Sequence, residues 1–248
     1  MGSDQLPVSL SPIDEERFGV RSARASEITL DSLPAVMDFC RGRGVSLLIA
    51  RCLSSELRVA QAMEQEGFAL MDTLIYYTRD LVELPIPSDT GKVPIRPIRP
   101  GEEDDVKSVA AKAFVGFSGH YHADGRLDRK KCDEVYADLA FRLCVSRDAG
   151  DEVLVAELDG SIVGFGAWRL GSSEEAEALL GGVVPSARKQ GIFVSLLVHG
   201  LESYLARGVR RMVGFTQITN TAVQKSWIKT GFQPSYGCYT FHKWFDPV

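Results

Sequence analysis

Hydrophobic and polar positions alternate along this chain in two groups of helices and strands. In the first, Asp31-Ser32-Leu33-Pro34 has the form of a helix start with proline in its first turn. Val36, Phe39 and Cys40 then fall on one face of a helix that runs to about Arg41, before Gly42 and Gly44 end it. Val45 to Cys52 is a short, unbroken apolar run and predicts a buried strand. A helix over Ser54 to Gln65, closed by Gly67, and a strand over Phe68 to Arg79 complete this group. Pro85, Pro87, Ser88, Asp89 and Gly91 crowd residues 81–93 with turn formers, so this stretch reads as an interdomain linker.

The second group begins with Pro94 to Arg99, where Pro97 demotes the strand to an edge, and with acidic residues 102–105 opening a helix to Phe114. Phe117 to Asp128 reads as an irregular loop rich in aromatic and histidine residues, followed by a helix from about Arg129 to Phe141. Strands over Val153 to Leu158 and Ile162 to Leu170 are joined by Asp159-Gly160, a tight-hairpin pair. A strand over Ala176 to Val184, a helix over Val194 to Leu205, a strand over Arg210 to Gln217, a helix over Asn220 to Thr230 and an aromatic strand over Tyr236 to Phe245 follow. The predicted division is a loosely attached arm (1–17), a small lobe (18–80), the linker (81–93) and a larger lobe (94–248), all of α/β character.

Composition narrows the class. With 248 residues and 45% hydrophobic positions the chain can bury a proper core, and a net charge of −5 argues against a general nucleic-acid binder. No apolar run approaches the ~20 residues of a membrane span and the N-terminus lacks the order of a signal peptide, so a cytoplasmic location is expected. Five scattered cysteines without C-x-x-C spacing suggest neither a disulfide framework nor a zinc site.

The candidate chemistry centres on Gly181 to Phe193, where an apolar strand runs into a basic turn and a helix starts directly behind it. Around Arg188, Lys189, Gln190 and Gly191 the chain offers free backbone N–H groups, the positive end of a helix and two cationic side chains, which suits a pyrophosphate. Neither G-x-x-x-x-G-K-[ST] nor G-x-G-x-x-G can be read across the turn. Taken alone, the turn fits an ordinary strand-turn-helix equally well.

Val183-x-Pro185-x-x-Arg188-x-x-Gly191-x resembles V-x-P-x-x-R-x-x-G-x-G/A, the acyl-CoA signature of the GCN5-related N-acetyltransferase (GNAT) superfamily, with Phe193 in place of the final Gly or Ala. Asn220-Thr221-Ala222, Trp227 and Gly231-Phe232 resemble the closing N-x-x-A-x-x-L-Y-x-K-x-G-F of the same superfamily. The resemblance implies a mixed central sheet flanked by helices and acetyl-CoA or another short-chain acyl-CoA as co-substrate, with no metal. It implies that backbone N–H groups at Gly182, Val183 and Val184 hold the pantetheine and the thioester oxygen, that the turn continuing into Ile192 and Phe193 cradles the pyrophosphate, and that Asn220 bonds the cofactor besides capping its helix. Trp227 stands where the family often has the tyrosine that protonates the departing thiolate, and an indole N–H cannot do that; either Tyr239 or Tyr236 on the last strand substitutes, or the thiolate leaves with the help of water or substrate.

Aligned on Gly67-Phe68 and Gly231-Phe232, the two lobes share one strand-helix-strand order, so the first resembles a degenerate GNAT half that lacks the cradle. With Arg17 to Ala23 near the start, this arrangement resembles the bacterial TDP-fucosamine acetyltransferase group, which implies a dTDP-linked amino-dideoxy sugar as acceptor. For removing the amine proton, His120 and His122 stand out because they lie two apart in the loop, beside Tyr121 and Asp124, and imidazole accepts a proton near neutral pH. In a locally extended loop both histidines face one way. Packing or solvated histidines and a metal pair are the rival readings, although no third ligand has partner spacing. Tyr121, Asp124 and Gln217 are the candidate acceptor contacts. The competing functions are acetylation of another small amine and a non-catalytic acyl-CoA sensor; a homodimer is left open.

Overall fold

In the computed structural model, residues 6–146 and 150–245 are described. Their elements in chain order are β1 (Val8–Leu10), α1 (Pro12–Phe18), β2 (Ser22–Ala25), α2 (Leu33–Gly42), β3 (Leu47–Leu53), α3 (Leu57–Gln65), β4 (Ala69–Asp80) and β5 (Ile95–Pro97). Then come α4 (Glu103–Ala113), α5 (His120–Ala123), α6 (Arg129–Val145), β6 (Glu152–Leu158), β7 (Ser161–Leu170) and β8 (Glu175–Val183). A single 3-10 turn (Pro185–Ala187), α7 (Ile192–Ala206), β9 (Arg211–Gln217), α8 (Thr221–Lys229) and β10 (Gln233–Trp244) close the chain. The class is the expected mixed α/β, with helices flanking mixed sheet.

The chain forms two compact units, and neither is contiguous: the first takes residues 6–75, 118–132 and 236–245, the second 76–117 and 133–235. This differs from the linear division into lobes, because the histidine loop and the last strand join the N-terminal residues. Strand pairing is the reason. In the first unit β10 pairs antiparallel with β3 over Cys238 to Trp244, β3 pairs parallel with β2, and β2 antiparallel with β1. Two more expectations are corrected here. Residues 8–18, read as part of a loose arm, form β1 and α1, which Ser11 ties to the sheet by its N–H donating to the Ser22 carbonyl at 2.8 Å. Residues 120–123, read as irregular, make one helical turn.

The first unit's apolar core lies on one side of its strands, where Leu48, Ala50 and Phe241 meet Val36, Met37 and Cys40 of α2 and Val59 and Met63 of α3. Alternation puts Arg24, Ile49 and His242 in one row on the other side, with Arg51 and Thr240 in the next row. That second side carries the polar chemistry of the unit.

In the second unit the strand order is β4-β9-β8-β7-β6-β5. Pairs β5–β6, β6–β7 and β7–β8 are antiparallel, and β8–β9 is parallel. The β6–β7 hairpin turns on Asp159 and Gly160 at φ 50° and 74°, as a two-residue primed turn requires. Helices α4 and α7 take opposite faces: a Cβ on Gly182 would lie 2.9 Å from Ala113 of α4, and one on the neighbouring Gly181 would lie 3.0 Å from the Phe193 ring of α7. Residues 81–93 are packed into this unit, with Leu81 and Val93 buried and Asp89 accepting from Ser195 of α7 at 2.7 Å. Turn-forming side chains there satisfy backbone and helix donors, which is how a linker-like composition becomes a fixed strap.

Candidate functional site

In the second unit, strands β8 and β9 pair only from Glu175/Arg211 to Ala178/Gly214, after which β8 runs on to Val183 without a β9 partner. The register of β8 against β7 also shifts between Leu180 and Ala178, placing a bulge at Leu179, at the point of parting. A bulge bends its strand and strengthens the local twist, so the edge of β8 that faces away from β7 is released from the ladder. The backbone polar groups of that edge must find another partner.

The released edge leads into the turn before α7. Lys189 has φ 65° and Gly191, which precedes α7, has φ 80°. Left-handed residues alternating with ordinary ones turn successive N–H groups to a common side, and the first N–H groups of α7 have no intrahelical acceptor. The result is a concave, donor-rich surface with the positive end of a fifteen-residue helix behind it. A cavity of about 650 Å³ opens on it, lined by Phe114 and Phe117, Gly182 and Val183, the Arg188 to Phe193 turn, and Asn220 with Ser226 of α8. Its dimensions and its apolar wall leading to a donor-rich end fit an elongated ligand with an acyl-bearing arm and a pyrophosphate.

Of the residues expected on the cofactor, Gly182, Val183, Arg188, Lys189, Gly191, Ile192, Phe193 and Asn220 line this cavity. Val184 and Gln190 flank them in the chain. Arg188 differs in role from the free cation expected: its Nη2 donates to the Ala113 carbonyl at 2.7 Å and its Nε to the Val183 carbonyl at 3.2 Å. It ties the turn to the C-terminus of α4 and the end of β8, a good place for a cation because helix carbonyls there lack partners. Phe193 is accommodated by Gly181, the residue its ring would strike if a Cβ were present. Asn220 caps α8 by accepting from the Val223 N–H at 3.4 Å and donates its amide to Thr216 at 3.0 Å.

Trp227 is not a cavity residue. It is 4% exposed, packs edge-on against Phe232 with ring centroids 4.4 Å apart, and lies over Gly214, the last β9 residue paired with β8. Its Nε1 is buried without an acceptor. Gln217, at the end of β9, is buried, and its carbonyl accepts from the Asn220 N–H at 2.9 Å.

The first unit holds a second polar constellation. Asp124 Oδ2 accepts from His242 Nδ1 at 2.7 Å and from Trp244 Nε1 at 2.8 Å, and His242 Nε2 lies 2.9 Å from His120 Nδ1. Asp124, His242 and His120 are 5%, 1% and 8% exposed, so the chain is sealed in the unit. Burial raises the Asp124 carboxyl, yet the bonds from His242, Trp244 and the Arg126 N–H outweigh it and hold the group below the usual carboxylate range. His120 is pushed well below 6.5, first by burial and then by His242, Arg51 and Arg24. The carboxylate can only accept, so His242 carries a proton on Nδ1, and one proton lies between His242 Nε2 and His120 Nδ1. Against this relay, Tyr121 gives its hydroxyl to Asp14 at 2.7 Å, Asp14 is clasped by both Arg24 nitrogens at 2.6 and 2.9 Å, and the Tyr121 ring lies 3.9 Å from His120.

Helical rather than extended geometry at α5 separates the two loop histidines. His120 points into the relay, whereas His122 Nδ1 accepts the Gly119 N–H at 3.1 Å. Tyr239 sits on the α2/α3 side of β10, against the apolar core and away from the face that carries His242. Tyr121 and Asp124 are structural partners within the unit rather than open acceptor contacts. His242 was not singled out in the sequence; its signal is a polar Thr240-x-His242 pair on alternate positions of an otherwise aromatic strand. Among the described residues no group of three metal-ligating side chains is gathered, and no helix is long and apolar enough to cross a membrane.

Residues 120–232 match the model of the acetyltransferase (GNAT) family. Mycothiol acetyltransferase of Acidothermus cellulolyticus is 28% identical over 223 residues, covering 78% of this chain and 65% of that relative, so the chain spans less than two thirds of its length. Among solved structures, a functionally unknown conserved protein from Staphylococcus epidermidis superposes with TM-score 0.65 at 15% identity, covering 98% of this chain and 93% of that one. A GCN5-related N-acetyltransferase from Sphaerobacter thermophilus gives 0.65 at 16% identity, covering 97% and 76%. A tandem GNAT protein from the clavulanic acid biosynthesis pathway gives 0.61 at 15%, covering 93% and 77%. At such identities the likeness is one of fold. The matched residues include the cavity walls from β8, α7 and α8 and begin at His120.

Proposed function

We propose that this protein transfers an acyl group, acetyl in the first instance, from an acyl-CoA to an amine by direct attack within a ternary complex. The observation that carries the reading is the unpaired edge of β8 running into the donor-rich start of α7 along one cavity wall. The family match over residues 120–232 and the acetyltransferase relative support it. An acyl-CoA supplies an activated thioester; the amine nitrogen bonds to the acyl carbon, the carbon–sulfur bond breaks, and one proton leaves the nitrogen. N–H groups of the free β8 edge at Gly182 to Val184 hold the carbonyl oxygen, and the turn with the first N–H groups of α7 holds the pyrophosphate. His120 and His122 are the candidate bases for the amine proton. Trp227 offers no proton to the thiolate, which takes one from solvent.

For the acceptor, the nucleotide-linked amino-dideoxy sugar implied by the sequence resemblance is the first reading. The mycothiol acetyltransferase match favours a second, an acceptor related to mycothiol. The first unit is read as a degenerate GNAT half, which the likeness to a tandem GNAT protein supports. The deciding experiment is CoA release from acetyl-CoA with dTDP- and UDP-linked amino sugars, cysteine-bearing amino sugars and free amines such as spermidine. Turnover with a nucleotide-linked sugar alone supports the first reading, and turnover with the cysteine-bearing compounds alone supports the second. CoA binding without turnover on any amine would sink the enzymatic reading in favour of a sensor.

A further inference from the structure

The polar side of the first unit contains a cation that the relay does not use. Arg51 of β3 is partly buried, and its Nε is sealed from solvent without a hydrogen-bond acceptor. None of the described carboxylates lies within ion-pair distance of it. Directly across the strand pair stands Thr240, at 0% exposure, with its hydroxyl also unpartnered. Opposite residues of an antiparallel pair project to the same side with Cβ atoms ~5 Å apart, so the guanidinium stem and the hydroxyl are neighbours. Two positions along β10, on that same side, His242 holds His120. Two polar groups with unused capacity therefore stand together, the Arg51 guanidinium and the Thr240 hydroxyl.

Arg24 is paired with Asp14, and Asp124 is saturated by His242, Trp244 and the Arg126 N–H. Glu27, although close enough to Cys238 to influence its thiol, makes no ion pair with Arg51. A half-buried guanidinium without an anion, facing an orphan hydroxyl, costs folding free energy that a purely structural design would avoid. From this geometry we infer that Arg51 and Thr240 form a site for an oxyanion, a phosphate or a carboxylate, within the first unit. Guanidinium recognises either oxyanion through paired N–H donors, and the hydroxyl donates a further bond.

The test uses the full chain in a calorimeter, with CoA at saturation to block the anion-binding turn of the second unit. Inorganic pyrophosphate and malonate are the two probes. At least one should bind, and Arg51→Gln should weaken it ~10-fold or more, as loss of a charge-assisted pair does, with Arg51→Lys intermediate. Thr240→Val is the variant that separates function from folding. Removing an orphan hydroxyl should raise the melting temperature by roughly 2–4 °C while weakening the same anion several-fold, opposite signs that a packing role alone would not produce. Binding of pyrophosphate alone assigns a phosphate-bearing ligand, and binding of malonate alone a carboxylate-bearing one. Wild type binding neither anion, or Arg51→Gln and Thr240→Val binding both as wild type does, overturns the subsite. The CoA titration in the same instrument keeps the two readings apart. A chain that binds the anion through Arg51 but no CoA defeats the acyl-transfer reading alone, and one that consumes thioester yet binds neither anion defeats the subsite alone.

Discussion

Gly191 shows how one residue connects backbone conformation to ligand binding. Nothing lies within 4 Å of a Cβ built there, so a substitution meets no neighbour; the obstacle is its φ of 80°. Gly191→Ala should therefore cost roughly 1–2 kcal/mol through the backbone alone. Because the turn relaxes to escape that strain, CoA affinity measured by calorimetry should fall about tenfold, a change of ~1.4 kcal/mol. Unaltered affinity would move the pyrophosphate elsewhere. At His120 the argument concerns protons. Its folded-state pKa lies well below the unfolded value of 6.5, so the unfolded chain binds the proton more readily across that interval. The stability this contributes is present in full above pH ~6.5 and is lost as pH falls from there to the folded-state value. His120→Asn should flatten the melting temperature between pH 7 and 5.5 relative to wild type. Asp14 and Asp124, whose carboxyls are held below 3.8, act in a lower window and leave that interval alone. A slope unchanged by the substitution would mean that His120 does not titrate as described.

At the scale of elements, the separation of β8 from β9 is maintained by glycines facing large rings. A Cβ on Gly214 would lie 1.7 Å from the Trp227 ring, far inside contact distance and against a side chain with nowhere to move. Gly214→Ala should destabilise the protein by about 1–3 kcal/mol, the range for overpacking. Combining it with Trp227→Leu should recover part of that loss, giving a coupling energy of about 0.5–3 kcal/mol in a double-mutant cycle. Purely additive effects would remove Trp227 from the wedge at the strand divergence. These contacts also explain what could be read in advance. The order of helices and strands from α2 onward was legible because each has its own hydrophobic period and its own glycine or proline boundary. The first strand and helix were missed because three and seven residues carry too little periodicity, and the turn at α5 because one helical turn has no period at all.

For the whole molecule, each unit collects residues distant in sequence. Binding of CoA to the second unit should stabilise it by about 2.7 kcal/mol at a hundredfold excess over Kd, since ligand binds only the folded form. Hydrogen exchange should then slow most in residues 182–194 and 220–226, the cavity walls. Protection spread evenly over both units, or centred on α2 and α3, would contradict the assigned cavity. The strand-turn-helix was legible as a motif, and within it Arg188 braces the turn against α4 while Trp227 packs on Phe232.

What the sequence by itself determined is what is local: the hydrophobic periods that make the elements, the Asp159-Gly160 hairpin, and the strand-turn-helix of the cradle with its glycine in the left-handed region. These depend on neighbours within a few positions, so the pattern carries them. Only the tertiary structure decided that His120 meets His242 across 122 positions, that Tyr121 and Arg24 share Asp14, and that Arg51 faces Thr240 without an anion. The His242 and Thr240 pairings follow from the register of β10 on β3. A shift of one residue there would turn both side chains to the apolar face, and no local pattern in either strand specifies which partner it meets.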